Sequence, residues 1–287
     1  MFTDFTVTGS TSAEETERIV QVIDGRLSIA MWCRDLWRFR GVLAALCVRD
    51  IRSKYKQAVL GIAWAVIQPT VQVAIYSLVF KGIAKIDTPL PYPVFVLASL
   101  LPFNLFQQIV SFGTPAFVSS QGIVTKVYFP RLYTVIAGSA SAFVNASISF
   151  VLLVVLMAVF GVRMSWSIAL TLPVLLVVAL FAVGTGAALS ALNARFRDVQ
   201  HALPLLMTLL MYVSPVLYPL DAVPRTFRIV ASFNPVSGLV DAFRSAIGGT
   251  VPASWELVGF GMLASLVVFV IGIAIFESSQ ARLIDVL

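Results

Sequence analysis

The sequence predicts an all-α integral membrane protein with six transmembrane helices. Its 287 residues are 59% hydrophobic, and the mean hydropathy is +0.94. A soluble domain of this length cannot bury so much apolar surface, because its outer layer has to stay in contact with water. Six stretches without Asp, Glu, Lys or Arg also reach about 20 residues, the length that a helix needs to cross a bilayer. These predicted spans are Ala58–Phe80, Val94–Val118, Tyr133–Phe160, Trp166–Leu192, His201–Pro219 and Leu257–Phe276.

The distribution of Lys and Arg predicts that both termini are cytoplasmic. The segments on the side opposite the N-terminus hold six of the 20 cations, and the other fourteen lie on the N-terminal side. Those six are Lys81, Lys85, Arg163, Arg225, Arg228 and Arg244. Cytoplasmic loops carry the excess of Lys and Arg in membrane proteins. The net charge of +6 is therefore explained by topology, and no nucleic-acid partner is expected.

The segment before the first span predicts two regions. Residues 1–28 are polar and lack an apolar core, so we expect a cytoplasmic extension rather than a cleavable signal peptide. Residues 29–56 have apolar residues at helical spacing and cations on the other face, which favours a helix lying in the membrane interface. A helix packed on a partner protein is a compatible alternative. The apolar positions are Trp32, Leu36, Phe39, Leu43, Cys47, Ile51 and Tyr55.

The residue types that the chain lacks exclude several functions. No predicted span contains an ionisable Asp, Glu, Lys or Arg, although ion-coupled transporters need such groups at membrane depth. A P-loop motif is absent, and no metal-ligand cluster or catalytic set stands out. Cys33 and Cys47 do not have CxxC spacing. An alternative, a membrane glycosyltransferase or phosphoryltransferase, would have to use the outer charges Asp221, Arg225, Arg228, Asp241 and Arg244.

The first two spans carry neutral amides and aromatic residues instead. Amides donate and accept hydrogen bonds, and aromatic faces suit the C–H faces of sugar rings, so these residues predict a polar pathway for a hydroxyl-rich substrate. Pro69 is expected to bend the first span. The alternative is that the amides bond between helices and the aromatic rings are core. The candidate pathway residues are Trp64, Gln68, Gln72, Tyr76, Phe103, Asn104, Phe106 and Gln107.

Five motifs, in order along residues 30–287, resemble one known family. They are RDIRSKYKQAVLGIAWAVIQP from Arg49, KVYFPR from Lys126, NARFRDV from Asn193, SPVLYP from Ser214 and NPVSGLVDAFR from Asn234. Together they are similar to the permease subunits of ABC-2 type polysaccharide exporters, the Wzm-like O-antigen and teichoic acid exporters. Residues 57–287 would then form the six-helix transmembrane domain.

The resemblance implies a function and partners. The chain would move a polyprenyl-diphosphate-linked polysaccharide across the cytoplasmic (inner) membrane, without being an enzyme itself. It would form a homodimer, in contact with membrane lipids, on two copies of a P-loop nucleotide-binding subunit. ATP and Mg would be bound by that subunit, and this chain would hold no cofactor or metal. Re-entrant gate helices would lie in residues 220–252, between spans five and six. A related permease exporting drugs or small lipids remains an alternative.

The resemblance and the charges also assign candidate site residues. Cations next to the first span would attract the diphosphate or lipid headgroups, and they are Arg49, Arg52, Lys54 and Lys56. Residues of two cytoplasmic loops would couple the permease to the ATPase, and they are Lys126, Phe129, Arg131, Arg195 and Arg197. The outer gate would use Pro219, Asp221, Asn234, Pro235, Asp241 and Arg244.

Overall fold

The computed structural model is an assembly of helices. It describes residues 39–55, 61–119, 131–222 and 233–284. The predicted extension at residues 1–28 and the first part of the interface helix, up to residue 38, lie outside the described residues. In chain order, the α-helices of the described part are α1 (Arg40–Tyr55), α2 (Trp64–Tyr76), α3 (Tyr92–Ser119), α4 (Leu132–Val159), α5 (Thr171–Arg195), α6 (Asp198–Val213), α7 (Pro235–Gly248) and α8 (Trp255–Ile284).

Five of the six predicted spans are confirmed as helices that are long and apolar enough to cross a membrane. A 3-10 turn before α2 and a π-helix after it, Ser77–Ile83, extend the first of them, and a 3-10 turn also precedes α5. The five candidate spans are Gly61–Ile83, Tyr92–Ser119, Leu132–Val159, Trp166–Arg195 and Trp255–Ser279. The chain is therefore a multi-pass membrane protein.

The fifth predicted span differs from the expectation. Its helix, α6, ends at Val213 instead of continuing to Pro219. Its 16 residues are about 24 Å long at 1.5 Å per residue, which is less than the roughly 30 Å of a bilayer core. The helix stops because Pro215 disfavours a helical conformation at Ser214, whose backbone is extended (ψ 145°). Residues 214–217 are nevertheless buried in the protein.

Helix α3 lies at the centre of the bundle. It contacts α2, α4, α5, α6 and α7, and most of its residues are buried. Its second half approaches α5 closely at Gly113 and Gly186, where a Cβ added at Gly113 would lie 3.4 Å from Gly186 Cα. Helices α5 and α8 are closer still, because a Cβ added at Gly184 would lie 2.4 Å from Phe269 Cα. Small residues allow such backbone contact between membrane helices.

The first described helix packs on the protein itself. Leu46 of α1 is buried against Tyr133 and Ala137 of α4, and Phe39 and Leu43 pack at the edge of this cluster. The apolar face predicted for residues 29–56 therefore contacts the start of α4 in its described part. This contact places the basic C-terminal turn of α1 near the ends of the spans.

Candidate functional site

The amides of the first spans form two hydrogen bonds between helices. Asn104 Nδ2 of α3 donates to Gln72 Oε1 of α2 at 3.3 Å. About one helical turn further along α3, Gln108 Oε1 accepts from Asn145 Nδ2 of α4. These contacts join three consecutive spans at membrane depth, where a hydrogen bond replaces contact between a polar group and lipid. For Gln72, Asn104 and Gln108 the structure shows the interhelical bonding that the sequence left as an alternative.

Three other candidates lie on accessible parts of the same region. Trp64 and Gln68 of α2 are exposed on the protomer, and Gln107 of α3 is partly exposed. Tyr76 is partly buried, and its hydroxyl contacts Met211 Sδ of α6 at 3.9 Å. We call these candidates on α2 and α3 the amide face, in which the structure joins Gln72 and Asn104 directly. They are Trp64, Gln68, Gln72, Tyr76, Asn104 and Gln107.

Two aromatic candidates are placed elsewhere. The side chains of Phe103 and Phe106 are buried in the protomer core, and Phe106 stacks on Phe181 of α5 with 4.8 Å between ring centroids. On one helix, residues 103 and 106 share a stripe next to the stripe of residues 104 and 107. The structure turns Phe103 and Phe106 towards the core and Asn104 towards α2, so the two phenylalanines do not belong to the amide face.

The candidate headgroup cations differ from one another in their surroundings. Arg49 forms an ion pair with Asp50 at 2.7 Å, whereas Arg52 is exposed. The Lys54 ammonium lies 4.7 Å from the centroid of the Phe112 ring on α3. Partial burial there lowers the pKa of Lys54, because removal from water disfavours the charged form. Lys56 lies outside the described residues.

A buried ion pair lies on α7. Arg244 NH2 is 2.7 Å from Asp241 Oδ1, and the two side chains are only 7% and 5% exposed. The second carboxylate oxygen, Oδ2, accepts a hydrogen bond from the Ala253 amide at 2.8 Å. Arg244 also lies over the Phe95 ring of α3, with 4.5 Å from Cζ to the centroid. The pair therefore links α7 to α3 and to the segment that leads into α8.

The non-helical segment after α6, residues 214–219, is attached to the same region. Its Pro215 carbonyl accepts from Arg244 NH1 at 3.4 Å, and its Leu217 carbonyl accepts from the Tyr92 hydroxyl at 2.9 Å. These donors supply hydrogen bonds that a buried, non-helical backbone needs. Sequence reasoning did not single out Tyr92, since it precedes the predicted start of the second span and carries no motif.

The remaining gate candidates surround this segment. Asn234 caps α7 by accepting from the Val236 amide at 3.0 Å, and its side-chain amide donates to Ser214 Oγ at 2.7 Å. Pro235 occupies the first turn of α7, where its missing N–H costs nothing. Pro219 is partly buried, and Asp221 is exposed on the protomer.

The candidate coupling residues are described in part. The Arg131 guanidinium lies 6.0 Å from the Phe117 ring centroid, and that of Arg195 lies 5.2 Å from the ring of Phe196. Arg197 is exposed at the turn between α5 and α6. Lys126 and Phe129 lie outside the described residues. In the part of the chain that the structure describes, no group of three His, Cys, Asp or Glu side chains is arranged to hold a metal.

Five helices long and apolar enough to cross a membrane place the chain among the multi-pass membrane proteins. Residues 42–247 match the family model described as ABC-2 type transporter, and the chain belongs to this family. It is thus a membrane transport subunit without a catalytic domain, and an ABC transporter permease implies an ATPase partner.

Similar proteins come from several bacteria. The chain is 29% identical over 214 residues to the O-antigen export system permease protein RfbA of Myxococcus xanthus, covering 74% of this chain and 82% of that protein. It is 25% identical over 248 residues to the RfbA protein of Klebsiella pneumoniae, covering 86% and 95%. It is 24% identical over 245 residues to the polysialic acid transport protein KpsM of Escherichia coli, covering 84% and 94%.

Proposed function

We propose that the chain is the permease of an exporter that moves a polyprenyl-diphosphate-linked polysaccharide, such as an O-antigen or a galactan, across the cytoplasmic (inner) membrane. ATP hydrolysis on a separate subunit drives the movement. The main support is similarity over most of the chain to permeases named for O-antigen export and polysialic acid transport. The amide face adds chemical support, because neutral donors and acceptors fit a substrate rich in hydroxyl groups.

The proposed topology has six crossings with both termini in the cytoplasm. Helix α6 is too short to cross alone, and the segment 214–219, buried at residues 214–217, completes its crossing. The hydrogen bonds from Tyr92 and Arg244 support this assignment, since non-helical backbone is tolerated at membrane depth only where protein or water satisfies it. The excess of Lys and Arg on the N-terminal side supports the orientation.

The substrate diphosphate is attracted by the cations at the end of α1. Arg52 is exposed, and Lys54 is the cation that reaches the α3 surface through its contact with Phe112. Arg49 contributes less because Asp50 offsets its charge. A cation next to an apolar ring suits a ligand whose headgroup is a phosphate and whose tail remains in the bilayer. Lys56 is the fourth cation of this proposed group.

The glycan then passes along the amide face towards an outer gate. Phe103 and Phe106 are left out of this pathway because their rings are buried in the core. The gate is formed by α7 and the segment 214–219, which the Asp241–Arg244 pair and Asn234 hold together. Opening the gate requires α7 to move relative to α3.

The working assembly is a homodimer on two P-loop nucleotide-binding subunits, which bind ATP and Mg. The cytoplasmic turns that carry Arg131, Arg195 and Arg197, together with Lys126 and Phe129, receive the motion of those subunits. The exposed position of Arg197 supports contact with a partner.

Depletion of the protein in its own host tests the function. Polyprenyl-linked glycans are extracted, and their sidedness is measured with a probe that cannot enter the cell. We expect lipid-linked glycan to accumulate inside while surface glycan is lost. Unchanged surface glycan together with acquired drug sensitivity would favour the alternative, a permease for drugs or small lipids.

A further inference from the structure

The amides of the first three spans fall into two classes. Four of them are used in the Asn104–Gln72 and Asn145–Gln108 hydrogen bonds between helices. Gln68 and Gln107 make no hydrogen bond among the described residues. Both lie inside candidate membrane spans. An amide without a partner at this depth is costly unless the space beside it is polar.

The two unpaired amides occupy the same level of the bundle. Gln68 precedes Gln72 by four residues on α2, and Gln107 follows Asn104 by three residues on α3. Consecutive spans run in opposite directions, so both steps lead the same way from the Gln72–Asn104 bond. Each step is about one helical turn, or 5.4 Å. Gln68 and Gln107 therefore lie at the same level along the spans, about one turn from the Gln72–Asn104 bond and, in the proposed topology, on its cytoplasmic side.

The accessibility of these side chains distinguishes them from amides that hold helices together. Gln68 is exposed on the protomer, Gln107 is partly exposed, and Trp64 is exposed one turn before Gln68. A lipid tail cannot form a hydrogen bond with an amide, whereas water or a sugar hydroxyl can both donate a hydrogen bond to the amide and accept one from it. The exposed indole beside them provides an apolar face for a sugar ring.

We propose that Gln68 and Gln107 are specificity-determining residues that hydrogen-bond the hydroxyl groups of the passing glycan. The Gln72–Asn104 and Gln108–Asn145 bonds instead fix the positions of the spans that carry them. This inference rests on the proposed export function and assigns different roles to amides that are alike in the sequence. Removal of a contacting amide slows the passage of glycan, whereas removal of a paired amide loosens the bundle.

The experiment compares Gln68→Leu and Gln107→Leu with Gln72→Leu in a host that lacks its own copy. The substitution nearly preserves volume and removes both hydrogen-bonding functions. Two quantities are measured: the rate at which new glycan reaches the cell surface, and the thermal midpoint of each purified protein. We expect Gln68→Leu and Gln107→Leu to reduce the rate about three- to tenfold, as the loss of about one hydrogen bond predicts, with unchanged midpoints. Gln72→Leu should lower the midpoint.

Two results with the leucine variants would overturn the inference. One is normal export by both variants, and the other is a fall in their midpoints as large as that of Gln72→Leu. Since Gln68 could instead face a second copy of the chain, Gln68→Cys is also tested for disulfide formation between copies in a protein whose native cysteines are replaced by serine. Efficient cross-linking would assign Gln68 to a contact between copies and contradict the proposal. If depletion of the wild-type protein leaves surface glycan unchanged, the proposed function fails. If depletion removes surface glycan but the leucine variants still export normally, this inference alone fails.

Discussion

Replacing Asp241 by alanine should strongly destabilise the region around α7. The substitution removes the carboxylate that faces Arg244 at 2.7 Å and that also accepts from the Ala253 amide. Arg244 would remain buried with its charge unpaired. Breaking a buried ion pair in this way costs about 3–5 kcal/mol. At about 2–4 °C per kcal/mol, the thermal midpoint of the purified protein should fall by about 6–20 °C.

Two further variants separate the ion pair from a general effect of charge removal. The double variant Asp241→Leu with Arg244→Met leaves no charge buried, so it should recover most of the lost stability. Asp87→Ala removes a pair of similar length, Lys81–Asp87 at 3.1 Å, in which the Asp87 side chain is 97% exposed. This control should show no resolvable change, because water screens an exposed pair. A midpoint of Asp241→Ala within about 2 °C of wild type would refute the reasoning.

Three other variants test separate parts of the account. Gly184→Ala should lower the thermal midpoint by an amount equivalent to about 1–3 kcal/mol, because the added Cβ would lie 2.4 Å from Phe269 Cα. Gly259→Ala is the matched control. A Cβ at Gly259 meets no atom within 4 Å, so this variant should not be destabilising. Asn234→Ala should cost about 1–2 kcal/mol, measured in the same assay, since it loses the cap of α7 and the bond to the preceding segment. Binding of a diphosphate lipid should weaken as the pH approaches 10.5, the ordinary lysine pKa. Burial lowers the pKa of Lys54, so this lysine loses its charge at a pH below 10.5. In a vesicle-binding titration, Lys54→Arg should abolish this decline. An unchanged pH profile in Lys54→Arg would contradict the assignment.

The membrane spans could be predicted because they depend on local composition. A run of about 20 apolar residues without charge is sufficient to identify a spanning helix, and five of the predicted runs are such helices. The end of α6 was missed because Val216 and Leu217 are as apolar as a helix interior. Hydropathy does not distinguish a buried helix from a buried extended segment, and Pro215 was the signal that could have done so.

The candidate pathway was predictable only as a set of residue types. The sequence shows amides and phenylalanines on the same helix, but it does not show which stripe of α3 faces the core. Phe103 and Phe106 were grouped with Asn104 and Gln107 for this reason. The separation of paired from unpaired amides also depends on which helices are neighbours, and α4 contributes Asn145 from a distant position in the chain.

The buried ion pair illustrates the same limit for charges. Asp241 and Arg244 are three residues apart on a helix, so their contact was accessible from the sequence. Their burial was not, since it depends on Phe95 of α3 and on the carbonyl of Pro215. Arg244 was counted among the cations of an outer segment, but the structure gives it a partner in the interior of the protein.

Reconstituted transport tests the central claim most directly. Proteoliposomes carrying the permease and its ATPase subunit are supplied in the outer leaflet with lipid-linked glycan from the host, and protection of the glycan from an added glycosidase is measured with and without ATP. Complexes with the ATPase outside should move glycan into the lumen, so protection should require ATP and be lost in liposomes without the permease. Equal protection with and without ATP would contradict the proposal that this chain is the membrane subunit of a polysaccharide exporter.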